Sequence, residues 1–285
     1  MKLAIIDVGS NSVRLMLWVD GKTLYKKVIT TRLGANLAQS GVLSEESIVR
    51  SLDAIKGFCL EARREGALVY AFATAAVRSA QNGGDFCKRV KECCGIPLEV
   101  ISGKDEAQLG VLGALGNEDG GIIDIGGAST EVCLRSRGET AFSVSMNIGA
   151  VRLYDLGKDD MQKTAEVVCE AIQPLSGVIP TGKIFAIGGT ASTLAAIKLG
   201  IKNYDPEALH HLPLSLEWVK SMSDKLFPMT LEERLKIAGM DVARVDVIAG
   251  ATYLLYEIMK KLSCKEVYFS DSDNLEGYLS FRGLR

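Results

Sequence analysis

The stretch IIDVGSNSVRL at residues 5–15 returns as IIDIGGASTEV at 122–132. Each copy reads as a buried strand ending in an aspartate, a turn of glycine and small polar residues, and a return to apolar residues. A repeat of this spacing requires two domain-sized halves built on one plan, and it excludes a solenoid, whose periods are much shorter. The copies differ at one end: the first closes on Arg14, the second on Glu131.

Each half continues its plan. Residues 3–8, VRLMLWV and, after Asp20-Gly21, KTLYKKVI predict three successive antiparallel strands joined by short turns. Ile48, Leu52, Ile55, Phe58, Cys59 and Ala62 recur at helical spacing and predict a helix from about Ser44 to Glu65, stopped by Gly66. LVYAFA, a helix near 84–94 and LEVI follow. DEAQLGVLGALG predicts a helix burying Ala107, Val111, Leu112 and Leu115. In the second half GGIIDI, TEVCLRS and ETAFSVSM repeat the three strands. A helix at 162–178, strand KIFAI, a helix at 190–199, a largely helical stretch at 215–262, strand EVYFSD and a helix at 274–283 complete it. Alternation of this kind predicts an α/β fold. Glycines 116, 120 and 121 mark a joint, giving domain I at 1–117 with the C-terminal helix at about 274–285, and domain II at 118–273.

Charge and cysteine usage narrow the function. A net charge of −2 supplies no global basic field, so no nucleic-acid partner is expected. The seven cysteines form no CxxC pair and no Cys/His set with zinc spacing. They read as reduced thiols. No apolar run approaches the ~20 residues that span a bilayer. Together these predict a cytoplasmic protein without a membrane partner.

The paired turns suit phosphate. Gly9, Gly126 and Gly127 permit close backbone approach. Successive N–H groups, with Ser10, Asn11, Ser12 and Ser129, can converge on an anion. Asp7 and Asp124 would repel phosphate directly and reach it through a divalent cation. Either turn alone would pass for an ordinary hairpin; two in matching register favour the anion. GGTAST offers Gly188, Gly189 and Thr190 as donors at a helix start, or Thr190 simply as its cap. GVIPTGKI is not a phosphate loop, because position 184 is Ile and a strand follows it. Gly110, Gly113 and Gly116 read as small residues for close helix packing. Arg14, Arg32, Arg78 and Arg152 recur beside the turns. Arg14, inside an apolar strand, needs a phosphate or a carboxylate partner. Ser102 reads as a helix cap and Glu106 as an ordinary first-turn acid. DSDN at 271–274 reads as a helix cap, and His210-His211 as a poor metal site.

AIIDVGSNSVRL, TRLG, ATAAVRSAQNG, ISGKDEAQL, IIDIGGASTE, NIGAVRL, AIGGTASTLAA, LHHLPLSLEWV and ARVDVIAGA occur in this order along almost the whole chain. In this combination the sequence resembles the Ppx/GppA phosphatases, the exopolyphosphatases and guanosine pentaphosphate phosphohydrolases of the actin/hexokinase/Hsp70 superfamily. The resemblance implies two actin-like, ribonuclease H-like domains facing a cleft, and a frequent homodimer. It turns Glu106 into the general base. It implies that Asp124 and Glu131, with Asp7 through water, hold Mg²⁺. It places Gly9, Ser10, Asn11 and Ser12 in one phosphate loop and Gly126, Gly127, Ala128 and Ser129 in the other, aided by Arg14, Arg78 and the Gly188, Gly189, Thr190 turn. Ala128 replaces a family glycine, and SDSDNLEG at 270–277 departs from the family's S-D-x-G-L-R-E-G. The expected reaction is release of terminal orthophosphate from inorganic polyphosphate by in-line attack of water. Guanosine pentaphosphate is the alternative substrate. A kinase of the same superfamily and a non-catalytic sensor of polyphosphate or an alarmone are the rival readings.

Overall fold

The strands and helices alternate as the sequence requires, and the chain folds as two mixed sheets flanked by helices. The computed structural model describes residues 1–201 and 203–285. The first half contains β1 (Lys2–Val8), β2 (Ser12–Val19), β3 (Lys22–Thr30), α1 (Leu37–Ser40), α2 (Glu45–Arg64), β4 (Leu68–Ala73), α3 (Ala75–Ser79), α4 (Gly83–Cys94), β5 (Glu99–Val100) and α5 (Gly103–Ala114). The second contains β6 (Gly120–Ile125), β7 (Thr130–Ser136), β8 (Glu139–Met146), α6 (Ala150–Gly157), α7 (Met161–Ala171), β9 (Ile184–Ile187), α8 (Gly188–Leu199), α9 (Pro206–Leu209), β10 (Pro213–Ser215), α10 (Leu216–Leu226), α11 (Leu231–Leu235), α12 (Ile248–Lys261), β11 (Glu266–Phe269) and α13 (Asn274–Phe281). Among the described residues no helix is long and apolar enough to cross a membrane.

The two sheets repeat one topology. The first runs β3-β2-β1-β4-β5; the second runs β8-β7-β6-β9-β11, with β10 added at its far edge. In each, the first three strands are antiparallel and the next joins the central strand in parallel. The paired sequence implied two halves on one plan, and that plan is the ribonuclease H-like one that the family resemblance implied. The central strands β1 and β6 are buried almost throughout, so they carry their terminal aspartates into the interior.

Helix α2 buries the six predicted residues on one face, against the first sheet. Helix α5 departs from expectation by burying two faces. Ala107, Val111 and Leu115 pack on Ile122, Cys133, Phe185 and Ile187 of the second sheet. Leu109, with Leu275 and Tyr278 of α13, packs on Leu3, Ile5 and Phe72 of the first. Leu112, expected inside, is only partly buried. The two helices approach closely because Gly113 lies on the backbone of Asp273 and Gly277 on the backbone of Leu109. Gly110 serves similarly, with its Cβ position 3.0 Å from methyls of Ile122 and Ile187. Gly116 does not pack; it turns the chain at φ +58° in open space.

Other differences have local causes. The helix expected over 162–178 ends at Ala171, and Pro174, which has no N–H, opens a short 3₁₀ turn at Gln173–Leu175. Helices α3 and α6 are too short to announce themselves by periodicity. The 215–262 stretch divides at Thr230, a capping box for α11, and again before α12.

Candidate active site

The repeated sentence becomes a repeated structure. Asp7 stands opposite Arg14 across β1 and β2, and Asp124 opposite Glu131 across β6 and β7. Each turn is closed by the same bond: the Gly9 N–H donates to the Ser12 carbonyl at 3.0 Å, and the Gly126 N–H to the Ser129 carbonyl at 3.0 Å. Each is also tethered by the segment that follows its hairpin. Thr31 and Arg32 N–H groups donate to the Asn11 carbonyl at 3.0 and 2.9 Å, and Gly34 to Ser10 at 2.8 Å. Ala150 donates to Gly126 at 2.8 Å, and Val151 and Arg152 donate to Gly127 at 2.8 and 3.0 Å. This explains TRLG and NIGAVRL. Gly149 must be glycine, because a Cβ there would lie 2.6 Å from the Gly126 carbonyl.

With their carbonyls occupied, the turns keep N–H groups free. Among the described residues, the amides of Ser10, Asn11 and Gly127 donate to no protein acceptor, and all three residues line one cavity. That cavity, of about 70 Å³, is bounded by both turns. Asp7, Gly9, Ser10, Asn11, Ser12 and Arg14 form one wall. Asp124, Gly126, Gly127 and Ser129 form the facing wall, and Gly188, Gly189 and Glu106 complete it. The turns nearly touch: a Cβ on Gly127 would sit 2.7 Å from Ser10 Cβ and 3.0 Å from the Asn11 nitrogen. Gly127→Ala is therefore expected to force the turns apart and weaken orthophosphate binding about tenfold, measured by calorimetric titration, with the melting temperature little changed.

Four expected residues lie off the cavity wall. Ala128 is buried within its turn. Thr190 caps nothing; its buried hydroxyl faces the Ile125 carbonyl at 3.5 Å, and the α8 N-terminus has no side-chain cap. Arg78 acts through Glu106. Glu131 is fully buried, accepting a 2.6 Å bond from the Ser145 hydroxyl.

Arg14 finds carboxylates. Its Nε donates to Asp7 at 3.0 Å, and it pairs with Asp273 as well. DSDN is the helix cap it resembled, since Asp273 and Glu276 form the capping box of α13. It does more than cap. Besides pairing Asp273 with Arg14, it places Asn274 beside Asp124, the amide donating to Oδ2 at 3.0 Å. Asn274, Arg244 and Thr74 all line the cavity, and sequence reasoning assigned none of them. Arg244 lies directly on Gly189, which has no side chain to exclude it. The signals were present in ATAAVR, ARVDV and SDSDN, but only the fold brings them together. Arg32 pairs instead with Asp246 at 2.6 and 3.1 Å, holding the two halves to each other.

Glu106 enters from the first turn of α5, behind the Ser102 cap, and is 6% exposed. Arg78 donates to its Oε2 at 3.1 Å and to the Ile101 carbonyl at 2.9 Å, fixing the carboxylate. Burial pushes Glu106 up to about 7; Arg78 opposes this, and the Asp124 charge adds to it. Burial raises Asp124 to about 6, against the pull of Arg14. Asp7 and Glu131 are also raised, both mainly by burial, Glu131 further by Glu106 and Asp124.

These carboxylates are chemically suited to a hard divalent cation. Asp7 Oδ1 and Glu131 Oε2 are buried without a hydrogen-bond partner. The Asp124 charge raises both Glu106 and Glu131, and Glu106 raises Glu131 further, a repulsion that a cation relieves. No group of three or more His, Cys, Asp or Glu among the described residues forms a complete metal cage. Mg²⁺ is commonly bound through one or two carboxylates, with water or phosphate in its other positions.

Comparison with known proteins identifies the family. A model of the Ppx/GppA phosphatase family matches residues 19–280. The bifunctional 3-dehydroquinate synthase/phosphatase of Fusobacterium nucleatum is 29% identical over 96% of this chain, which spans 45% of that protein. Exopolyphosphatase 2 of Mycobacterium tuberculosis is 28% identical, with 97% of both chains covered. Among solved structures, an exopolyphosphatase from Cytophaga hutchinsonii is 29% identical with a TM-score of 0.88, covering 100% of this chain and 99% of that one. An Aquifex aeolicus Ppx/GppA family member is 26% identical with a TM-score of 0.81, covering 100% and 98%. The chain belongs to the Ppx/GppA phosphatase family.

Proposed function

We propose that the protein releases terminal orthophosphate from inorganic polyphosphate by direct attack of water. The observation that carries this reading is Glu106: a buried carboxylate raised to about 7, fixed by Arg78, on the wall of a cavity formed by two phosphate-type turns. The terminal phosphoryl group sits between the turns, where the amides of Ser10, Asn11 and Gly127 and the uncapped start of α8 meet its oxygens. Glu106 accepts the proton of a water molecule and orients it for in-line attack. Asp124 and Glu131, with Asp7 through water, would hold Mg²⁺, which neutralises phosphate oxygens when bound. Asn274 fixes Asp124 Oδ2 and leaves Oδ1 available. Arg244 takes the place at the phosphate that Arg14, tied to two carboxylates, fills only in part. The relatives named exopolyphosphatase support polyphosphate over guanosine pentaphosphate.

The assay is direct. Purified protein with Mg²⁺ is given polyphosphates of several lengths, guanosine pentaphosphate and ATP, and orthophosphate is measured. Release from polyphosphate without an acceptor supports the reading. ADP formation that requires an acceptor would make the protein a kinase, and tight binding without turnover would make it a sensor.

The base must be ionised, so kcat/KM is expected to fall as pH drops through the Glu106 pKa near 7. Arg78 pulls that pKa down. Arg78→Met should therefore move the acidic limb of the pH profile upward, an effect that loss of Asp124 ionisation alone would not produce.

A further inference from the structure

The phosphate cavity shares Ser12, Arg14, Gly188, Gly189 and Arg244 with a second cavity of about 240 Å³. If the terminal phosphoryl group occupies the first, the leaving part of the substrate must lie in the second. That space offers little to a long polyanion. Among the described residues, each cation lining it has a carboxylate beside it, closely for Arg14, Lys26 and Lys27 and only loosely for Arg244, whose burial outweighs Asp241. Arg14 pairs with Asp7 and Asp273. Lys26 pairs with Asp271 at 3.2 Å and Glu276 at 2.8 Å, Lys27 with Glu61 at 2.8 Å, and Arg244 with Asp241 at 3.5 Å. Asp241, Asp271 and Asp273 themselves line the cavity, beside apolar Phe269 and Leu275.

Asp273 is the best-fixed of these carboxylates. It is 6% exposed, accepts the Leu275 N–H at 2.9 Å as the cap of α13, and its own N–H is held by Glu276 at 3.0 Å. It cannot swing away when a substrate arrives. It also consumes the charge of Arg14, the one cation on the wall of both cavities that reaches across from the first half.

We propose that Asp273 is a specificity-determining residue that confines the enzyme to short phosphoanhydride chains, by matching the Arg14 charge and placing a fixed carboxylate where a longer chain would run. Like charge met along the path of a polyanion opposes binding. A short leaving group, a pyrophosphate or less, stays beside the Arg14 and Arg244 guanidinium groups, which line both cavities, while a longer chain must run on past the carboxylates of the second. This rests on the proposed polyphosphate reaction.

The test compares tripolyphosphate with long-chain polyphosphate, per chain end, on wild type and on Asp273→Asn. Asparagine caps helices as well as aspartate, so the substitution removes the charge and keeps the cap. Wild type is expected to favour tripolyphosphate about tenfold or more in kcat/KM, and Asp273→Asn to close most of that gap through a lower KM for the long chain. Asp271→Asn, which removes one carboxylate from the wall of the second cavity at a partly exposed position and leaves Lys26 paired with Glu276 alone, should narrow the gap in the same direction if Asp273→Asn folds poorly. Equal use of both chains by wild type, or an unchanged ratio in the variants, would overturn the proposal. Calorimetric titration of the same two ligands separates this from failure of the polyphosphate reading. A protein that hydrolyses neither but binds tripolyphosphate more tightly, with the difference reduced in Asp273→Asn, retains the selectivity and loses the activity. Equal affinities would sink the selectivity.

Discussion

Glu106→Gln is expected to lower kcat for orthophosphate release by about 10²–10⁴-fold, with KM changed much less. The amide keeps the size of the carboxyl group and its place behind the Ser102 cap, but it cannot accept the proton of the attacking water. The rest of the cavity wall, both turns and α8 are untouched, so binding survives. The same substitution should stabilise the protein at alkaline pH. In the unfolded chain the carboxyl titrates near 4.5; in the fold, burial lifts it to about 7. Between those values the folded state binds the proton more tightly, so stability falls as pH rises through the window. Above it the folded protein carries the full cost of a buried charge, up to about 3 kcal/mol. Glu106→Gln should therefore melt higher than wild type at pH 8 and almost equally at pH 4. Activity lost and stability gained together mark a catalytic group; a structural ion pair with Arg78 would lose stability instead.

Gly113→Ala is expected to destabilise the fold by about 3 kcal/mol and to reduce activity beyond what unfolding explains. The added methyl would overlap the backbone of Asp273, not a side chain able to rotate aside. Helix α13 must then move away from α5, opening the layer that joins Leu3 and Phe72 on one side to Leu109 and Tyr278 on the other. The movement carries Asn274 off Asp124 and Asp273 off Arg14. Urea unfolding measures the first effect and kcat/KM, taken well below the midpoint, the second. Gly116→Ala bears only the strain of its positive φ, since nothing lies near its Cβ position, and should leave the site intact.

The contrast between these glycines marks what the sequence disclosed. GVLGALG has a spacing that reads as close packing, yet only two of its three glycines pack, because Gly116 lies past the helix end. The duplicated strands, the α2 face and both turns were legible, since each rests on local periodicity or on a short contiguous pattern. The turn-to-turn contact between Gly127 and Ser10 was not, because it depends on how two distant halves meet. Arg14 raised the right question: an arginine in an apolar strand needed an anion, and Asp7 stood directly opposite. Its second carboxylate, Asp273, lay 259 residues away. Glu106 was ambiguous for a related reason. Its place in the first turn of a helix looks ordinary, and only burial against Arg78 and proximity to Asp124 distinguish it. Asn274 and Arg244 were missed because amide and guanidinium groups at a helix start and in a short 3₁₀ turn look like surface residues until the fold encloses them.

The central claim is that water attacks the terminal phosphorus held between the two turns. Hydrolysis of tripolyphosphate in H₂¹⁸O tests it most directly. Attack at the terminal phosphorus puts the label in the released orthophosphate and leaves the pyrophosphate unlabelled, which is the result expected. Label in the pyrophosphate would place attack at the internal phosphorus, and no label in either product would mean that water is not the nucleophile; either would contradict the account.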